Sequence, residues 1–272
     1  MKFFLDSAIL SEIETVYNAG VCDGITMNPS LVKKAVDTAK EKGEQMSLEK
    51  YIKKALTIAK GTPVSLEVTE LDAKGMIAQG KKLYKKFNLV AKNVYIKIPV
   101  NTSFPNEKGK EFDGLIAIKE LHKSKIPVNC TLIFTPEQAL AAAKAGANFV
   151  SPFAGRIDDL LRKEKGDKFD KTNYFPVEGI ENNGKIMNDN GISSGVDLVS
   201  ECVQIFKNYN IKSEVLAASL RNARQVRECA LVGADIATMP FSVFKELFSH
   251  KLTQEGMVSF TNDTPKEFKK LV

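Results

Sequence analysis

Few of the side chains that hold metals or disulfides are present in this chain. It has two histidines, His122 and His250, far apart and outside any metal-ligand motif, so surface positions and no metal are expected. The four cysteines, Cys22, Cys130, Cys202 and Cys229, show no CxxC spacing. Met1-Lys2-Phe3-Phe4-Leu5-Asp6 is too short an apolar stretch for a signal peptide, so reduced thiols in a cytoplasmic protein are expected. No apolar run approaches the roughly 18 residues of a membrane span. GxGxxG and GxxxxGK[ST] are both missing, which removes the glycine fingerprints of nucleotide binding, and no cofactor is called for. Gly191-Ile192-Ser193-Ser194-Gly195 matches GxSxG but follows Asn188-Asp189-Asn190 instead of a strand, the wrong context for a nucleophile elbow. Arg-rich clusters with interleaved aromatics are also missing. The net charge of +6 is spread over doublets such as Lys33-Lys34, Lys53-Lys54, Lys81-Lys82 and Lys85-Lys86. These lie in helical patterns and read as solvated faces, which suits anionic ligands and argues against nucleic acid.

What is there is an alternation. Eight short apolar runs, at 2–5, 24–27, 64–68, 94–99, 128–134, 149–153, 214–219 and 236–239, are separated by segments with helical spacing. Ile9, Ile13, Val16 and Tyr17 make one such stripe; Leu140, Ala141 and Ala145 make another, closed by Gly146. Eight βα units in about 250 residues fit a closed (β/α)₈ TIM barrel, an α/β fold, better than an open doubly wound sheet. One domain over 1–272 is expected, with a surface insertion at 160–195 in the sixth βα unit and a tail or helix at 255–272. The insertion is rich in Asn, Asp, Gly and Lys and has no clear period. A second polar insertion, 101–113, follows the fourth run.

In such a barrel the catalytic groups project from the carboxyl ends of several strands, and polar residues gather at those ends here. They are Asp6, Asn28, Glu67, Lys97, Asn129, Thr131, Ser151, Arg156, Ser219 and Arg221. Plainer accounts exist for some: Asp6 as a cap of the first helix, Asn28 or Ser30 as a cap of the second, Arg156 and Asp158 as an exposed ion pair. Glu67 and Lys97 are harder to dismiss. Lys97 sits in Val94-Tyr95-Ile96-Lys97-Ile98-Pro99-Val100, and an ionisable group flanked by apolar strand residues costs stability unless it is paired or used. Burial disfavours the charged form of a lysine, and an amine nucleophile can form a Schiff base with a carbonyl substrate. Carboxylates can move protons, Asn and Thr can hold hydroxyls and a water, and two arginines suit a phosphate. These roles fit a phosphorylated sugar. Cys130, between Asn129 and Thr131, should face the helix layer as a small hydrophobe.

These residues resemble the transaldolases, and in particular the short branch that includes fructose-6-phosphate aldolase. The likeness runs in order through Phe3-Phe4-Leu5-Asp6, Gly24-Ile25-Thr26-Met27-Asn28-Pro29-Ser30, the Lys97 run, Asn129-Cys130-Thr131, Ser151-Pro152-Phe153-Ala154-Gly155-Arg156-Ile157-Asp158 and Leu216-Ala217-Ala218-Ser219-Leu220-Arg221-Asn222. The resemblance implies that Lys97 forms a Schiff base with a ketose phosphate and Asp6 assists carbon–carbon cleavage. It also implies that Glu67 and Thr131 hold a relay water, Asn28 and Asn129 bind the dihydroxyacetone portion, Ser151 and Phe153 line the pocket, and Arg156, Ser219 and Arg221 hold the phosphate. The aldolase branch carries Gln and Tyr where this chain has Glu67 and Phe153, so the resemblance favours transfer of a dihydroxyacetone unit, in the pentose phosphate pathway, over its release to water. An aldolase releasing dihydroxyacetone and a non-catalytic sugar-phosphate-binding barrel are the alternatives. The implied partners are sugar phosphates and further copies of the chain, with 264–272 either contacting a neighbour or folding back on its own barrel.

Overall fold

A computed structural model describes residues 1–41, 43, 46–105, 107–265 and 267–268. The chain runs β1 (Lys2–Asp6), α1 (Leu10–Asn18), β2 (Gly24–Thr26), α2 (Pro29–Glu41), α3 (Leu48–Ile58), β3 (Val64–Glu67), α4 (Ala73–Ala91), β4 (Val94–Pro99) and α5 (Asp113–Lys123). It continues through β5 (Val128–Ile133), α6 (Pro136–Ala145), β6 (Phe149–Pro152), α7 (Ala154–Lys165), β7 (Glu181–Asn182), β8 (Lys185–Ile186) and α8 (Gly195–Asn208). The last elements are β9 (Glu214–Ala217), α9 (Ala223–Leu231), β10 (Ile236–Met239), α10 (Phe241–Glu246) and α11 (Lys251–Asp263). Eight of the strands close into a barrel in the order β1-β10-β9-β6-β5-β4-β3-β2, with every pairing parallel. This is the (β/α)₈ barrel expected; seven of the apolar runs contain a barrel strand, and β1 extends one residue past the first run, to Asp6.

Two layers of side chains fill the barrel. Strand residues two apart share a face, so Phe4, Tyr95, Phe149, Leu216 and Ile236 form an apolar inner cluster beneath Asp6, Lys97, Ser151, Ala218 and Thr238, two positions further along each strand. Tyr95 stacks on Phe149 with centroids 4.7 Å apart, and Phe4 meets Phe149 edge-on at 5.9 Å. Gly24 makes room for this floor, since a Cβ there would lie 2.5 Å from the Phe4 ring. The alternate residues, among them Leu5, Ile25, Leu66, Ile96, Ile98 and Cys130, point outward into the larger core under the helices. Cys130 is fully buried there, as its alternation with Asn129 and Thr131 requires.

Local chemistry sets the helix starts. Ser47, Asp72, Ser194 and Asn222 each accept a backbone N–H of the first turn, and Thr135 with Gln138 makes a capping box ahead of Pro136. Ser194 of the GxSxG match is thus a helix cap. The insertion expected at 160–195 is more structured than its composition suggests: α7 continues to Lys165, and β7 and β8 form a hairpin. Its turn, Asn183-Gly184, has φ of 52° and 76°, the positive pair that a two-residue hairpin turn demands. The tail expected at 255–272 begins earlier, as α11 at Lys251; residues 266 and 269–272 lie outside the described residues. Among the described residues, no helix is long and apolar enough to cross a membrane.

Candidate active site

Register brings the polar layer together at the carboxyl end of the barrel. Glu67 of β3 pairs with Lys97 of β4, which pairs with Asn129 of β5, so three polar side chains stand abreast. Lys97 is 5% exposed, and its Nζ lies 3.2 Å from Glu67 Oε2. Removing two charges from water costs several kcal/mol per ion; mutual pairing offsets part of that, and neither group has reason to be here on packing grounds. Asn129, fully buried, donates through Nδ2 to Ser65 Oγ at 3.1 Å and accepts from Ser151 Oγ at 2.7 Å. Thr131 is buried as well, and its Oγ1 has no protein partner among the described residues.

Across the barrel, Asp6 ends β1 and accepts a hydrogen bond from Thr26 Oγ1 at 2.7 Å; Thr26 in turn lies 2.6 Å from the Thr238 hydroxyl. Enclosure pushes the Asp6 carboxyl above the ordinary aspartate range, opposed by the charge of Lys97, the Thr26 hydrogen bond and the charge of Arg221. Asp6 therefore does not cap α1. Asn28 does cap a helix: its Oδ1 accepts from Leu31 N at 2.9 Å, which leaves its Nδ2 free for another partner.

A cavity of about 550 Å³ opens here, lined by Asp6, Thr26, Asn28, Lys97, Ser151, Phe153 and Thr238. Arg156, Asp159, Lys163, Lys171, Ser219 and Arg221 line it as well. Glu67 borders a separate apolar cleft of about 450 Å³ between α2, α3 and α4, while Asn129 and Thr131, both buried, are not in the lining of the first cavity. The remaining residues picked out from sequence face the cavity itself.

The basic side is built tightly. Gly155 lies so close to Ser219 that a Cβ would stand 2.2 Å from the Ser219 carbonyl oxygen and 2.7 Å from Arg221 Nε. Ser219 itself takes φ of 62°. Arg221 Nη2 donates to Asp159 Oδ2 at 2.9 Å, and the Arg221 backbone N–H donates to Gln225 Oε1 at 2.8 Å. Arg156 sits over the Phe153 ring, 5.4 Å from its centroid, and Phe153 packs edge-on against Phe134. The exposed Arg156–Asp158 ion pair, the plainer account of these two residues, does not form among the described residues. Asp158 is 3% exposed, faces away from the cavity, and accepts from Gly195 N and Gln225 Nε2, both at 2.7 Å. Burial pushes its carboxyl up to about 7.

Sequence reasoning missed Ser65, Thr26, Thr238 and Asp159. The first three carried a signal: each is a polar residue two positions from an inward-facing neighbour on its strand. Asp159 carried none, because only the approach of α7 to the loop after β9 brings it to Arg221.

The family model described as "Transaldolase/Fructose-6-phosphate aldolase" matches residues 3–271. Similar proteins include a "Probable transaldolase" of Chlorobaculum parvum, 42% identical over 264 residues and covering 97% of each chain. Another, of Aquifex aeolicus, is 38% identical over 266 residues, with 98% of this chain and 97% of that protein covered. A third, of Methanococcus vannielii, is 39% identical over 270 residues, with coverages of 99% and 100%. Matched end to end by the family model and by relatives of this identity, the chain belongs to the transaldolase/fructose-6-phosphate aldolase family.

Proposed function

We propose that this enzyme transfers a dihydroxyacetone unit from a ketose phosphate, such as fructose 6-phosphate or sedoheptulose 7-phosphate, to an aldose phosphate through a Schiff base on Lys97. The observation that carries this reading is Lys97 Nζ, almost wholly buried at the barrel mouth and 3.2 Å from Glu67, in one cavity with Asp6 and a basic wall. Attack on the ketose C2 requires the amine lone pair, and Glu67 is within reach to take the ammonium proton. The C2 oxygen leaves as water. The Asp6 carboxylate then takes the proton of the C4 hydroxyl, the C3–C4 bond breaks, and its electron pair moves into the iminium to leave an enamine on Lys97. The first aldose phosphate departs. An incoming aldehyde reverses these steps: the enamine forms the new C–C bond, Asp6 returns its proton to the new alkoxide, and water releases the product.

The remaining roles follow from free hydrogen-bonding capacity. The Asn28 Nδ2 and the unused N–H of Asn129 suit the hydroxyls of the three-carbon unit, with Ser151 beside them. Thr131, whose hydroxyl has no protein partner among the described residues, shares the inward face of β5 with Asn129 and suits the relay water with Glu67. Arg156, Ser219 and Arg221 suit the phosphate.

Transfer is favoured over release to water by Phe153. Its ring carries Arg156 and packs on Phe134, and it offers no hydroxyl to activate water near the enamine. Phe153→Tyr is expected to raise free dihydroxyacetone relative to transfer product; an unchanged partition removes this argument. A barrel that only bound sugar phosphates would need the arginines but not a buried lysine. The direct test is borohydride reduction in the presence of fructose 6-phosphate, followed by mass measurement of the peptide carrying Lys97. A three-carbon adduct there is expected; an unmodified peptide under turnover conditions rejects the Schiff base.

A further inference from the structure

One face of α7 runs along the cavity wall. Arg156, Asp159, Leu160 and Lys163, at helical spacing, all line it. With a rise of 1.5 Å per residue, Lys163 stands about 10 Å along the helix from Arg156. Lys171 lines the same cavity, and it comes from the irregular part of the insertion. The residues around it are pinned. Asp170 Oδ1 accepts from both the N–H and the hydroxyl of Thr172 at 2.7 Å, and Thr172 O accepts from Asn222 Nδ2 at 3.1 Å. Arg162 Nη2 donates to the carbonyls of Asn173 and Tyr174 at 2.7 and 2.8 Å, and Arg224 lies 3.5 Å over the Tyr174 ring. The insertion is thus clasped to α7 and α9, and Asn222, its anchor, directly follows Arg221.

Among the described residues neither lysine is in an ion pair. The two cavity carboxylates are engaged elsewhere, Asp6 with Thr26 and Asp159 with Arg221. We propose that Lys163 and Lys171 form an outer anion subsite of this cavity, which captures the phosphate monoester of an incoming sugar phosphate ahead of the Arg156–Ser219–Arg221 cup. The identity of the ligand rests on the function proposed above; the subsite itself rests on the placement of the lysines. A cleft lined by one sign of charge concentrates counter-charged ligand and speeds its arrival. Charges about 10 Å apart are largely screened at physiological salt, where the Debye length is about 8 Å. The lysines therefore act on capture, and salt removes their effect. They also favour phosphorylated over neutral acceptors, because a neutral aldose gives them nothing to hold.

The test compares D-glyceraldehyde 3-phosphate with neutral D-glyceraldehyde as acceptor for the native enzyme and for Lys163→Gln, Lys171→Gln and the double variant. Lys168→Gln, an exposed lysine of the same insertion outside the cavity lining, is the control. At low ionic strength the double variant is expected to lose roughly three- to tenfold in kcat/KM for the phosphorylated acceptor. Its kcat, its kcat/KM for glyceraldehyde and the Lys168→Gln enzyme should be unchanged, and high salt should close the gap. Equal loss with both acceptors, or loss with neither, overturns the subsite. Calorimetric binding of fructose 6-phosphate separates the two readings: binding that weakens in the double variant of an enzyme with no transfer activity keeps the subsite and rejects the transferase. Transfer indifferent to both lysines does the reverse.

Discussion

The guanidinium of Arg221 is aimed by a carboxylate that never needs to touch substrate. Asp159 Oδ2 holds Nη2 at 2.9 Å, while Arg221 Nε and Asp159 Oδ1 are buried without partners among the described residues. Replacing Asp159 has two opposed effects: it removes a negative charge beside the proposed phosphate cup, and it frees the arginine from one geometry. Bidentate phosphate recognition depends on a pre-set fork, so the loss of aim should win. Asp159→Ala is expected to raise KM for the phosphorylated donor about tenfold with kcat little changed. A lower KM would show that Asp159 only neutralises charge. At this scale the sequence singled out the pair that the fold brings together, since Lys97 and Glu67 stand out against apolar strand neighbours. It left Asp158 unplaced, because a carboxylate two residues from an arginine on a helix carries no mark of which side faces the core.

The elements that carry the site were legible from periodicity, and those that modify it were not. Strand alternation places Asp6, Thr26, Glu67, Lys97 and Ser151 on one face by necessity, and the apolar runs coincide with every barrel strand to within two residues at either end. The insertion looked featureless because its hairpin has only two residues per strand, too few for a period of two to show, though Asn183-Gly184 was a readable turn. The final helix is a different case. No residue of α11 is buried, yet Leu252, Met257, Val258 and Phe260 are all at least 60% exposed. A helix with no buried residue gains little from packing against the described residues, so a homo-oligomer that covers these side chains is the expectation to test. Sedimentation should show a species heavier than the 30.0 kDa chain, and Phe260→Asp should shift it toward the monomer; a monomer throughout rejects this.

For the whole molecule, the buried Asp158 makes stability depend on pH. It joins α7 to Gly195 at the start of α8 and to Gln225 of α9, and burial outweighs those hydrogen bonds and Arg162, raising its carboxyl from 3.8 to about 7. The folded state then keeps a proton that the unfolded chain has released. Stability is least affected below the ordinary aspartate range and falls as pH rises toward 7, by about 1.4 kcal/mol per unit in the limit of this one group. Asp158→Asn should lower stability at acid pH, since its amide meets the Gln225 amide, but flatten the slope between pH 4.5 and 7 in urea titrations. A parallel slope in both proteins would count against this assignment. Composition, alternation and the order of motifs alone determined the barrel, its family and the residue types of the site, because an eight-fold pattern of short apolar runs has few ways to bury itself. Only the tertiary structure decided that Lys97 meets Glu67, that Asp159 holds Arg221 and that the insertion brings Lys171 to the cavity. Those contacts span tens of residues, and they depend on strand register and helix approach, which no local pattern encodes.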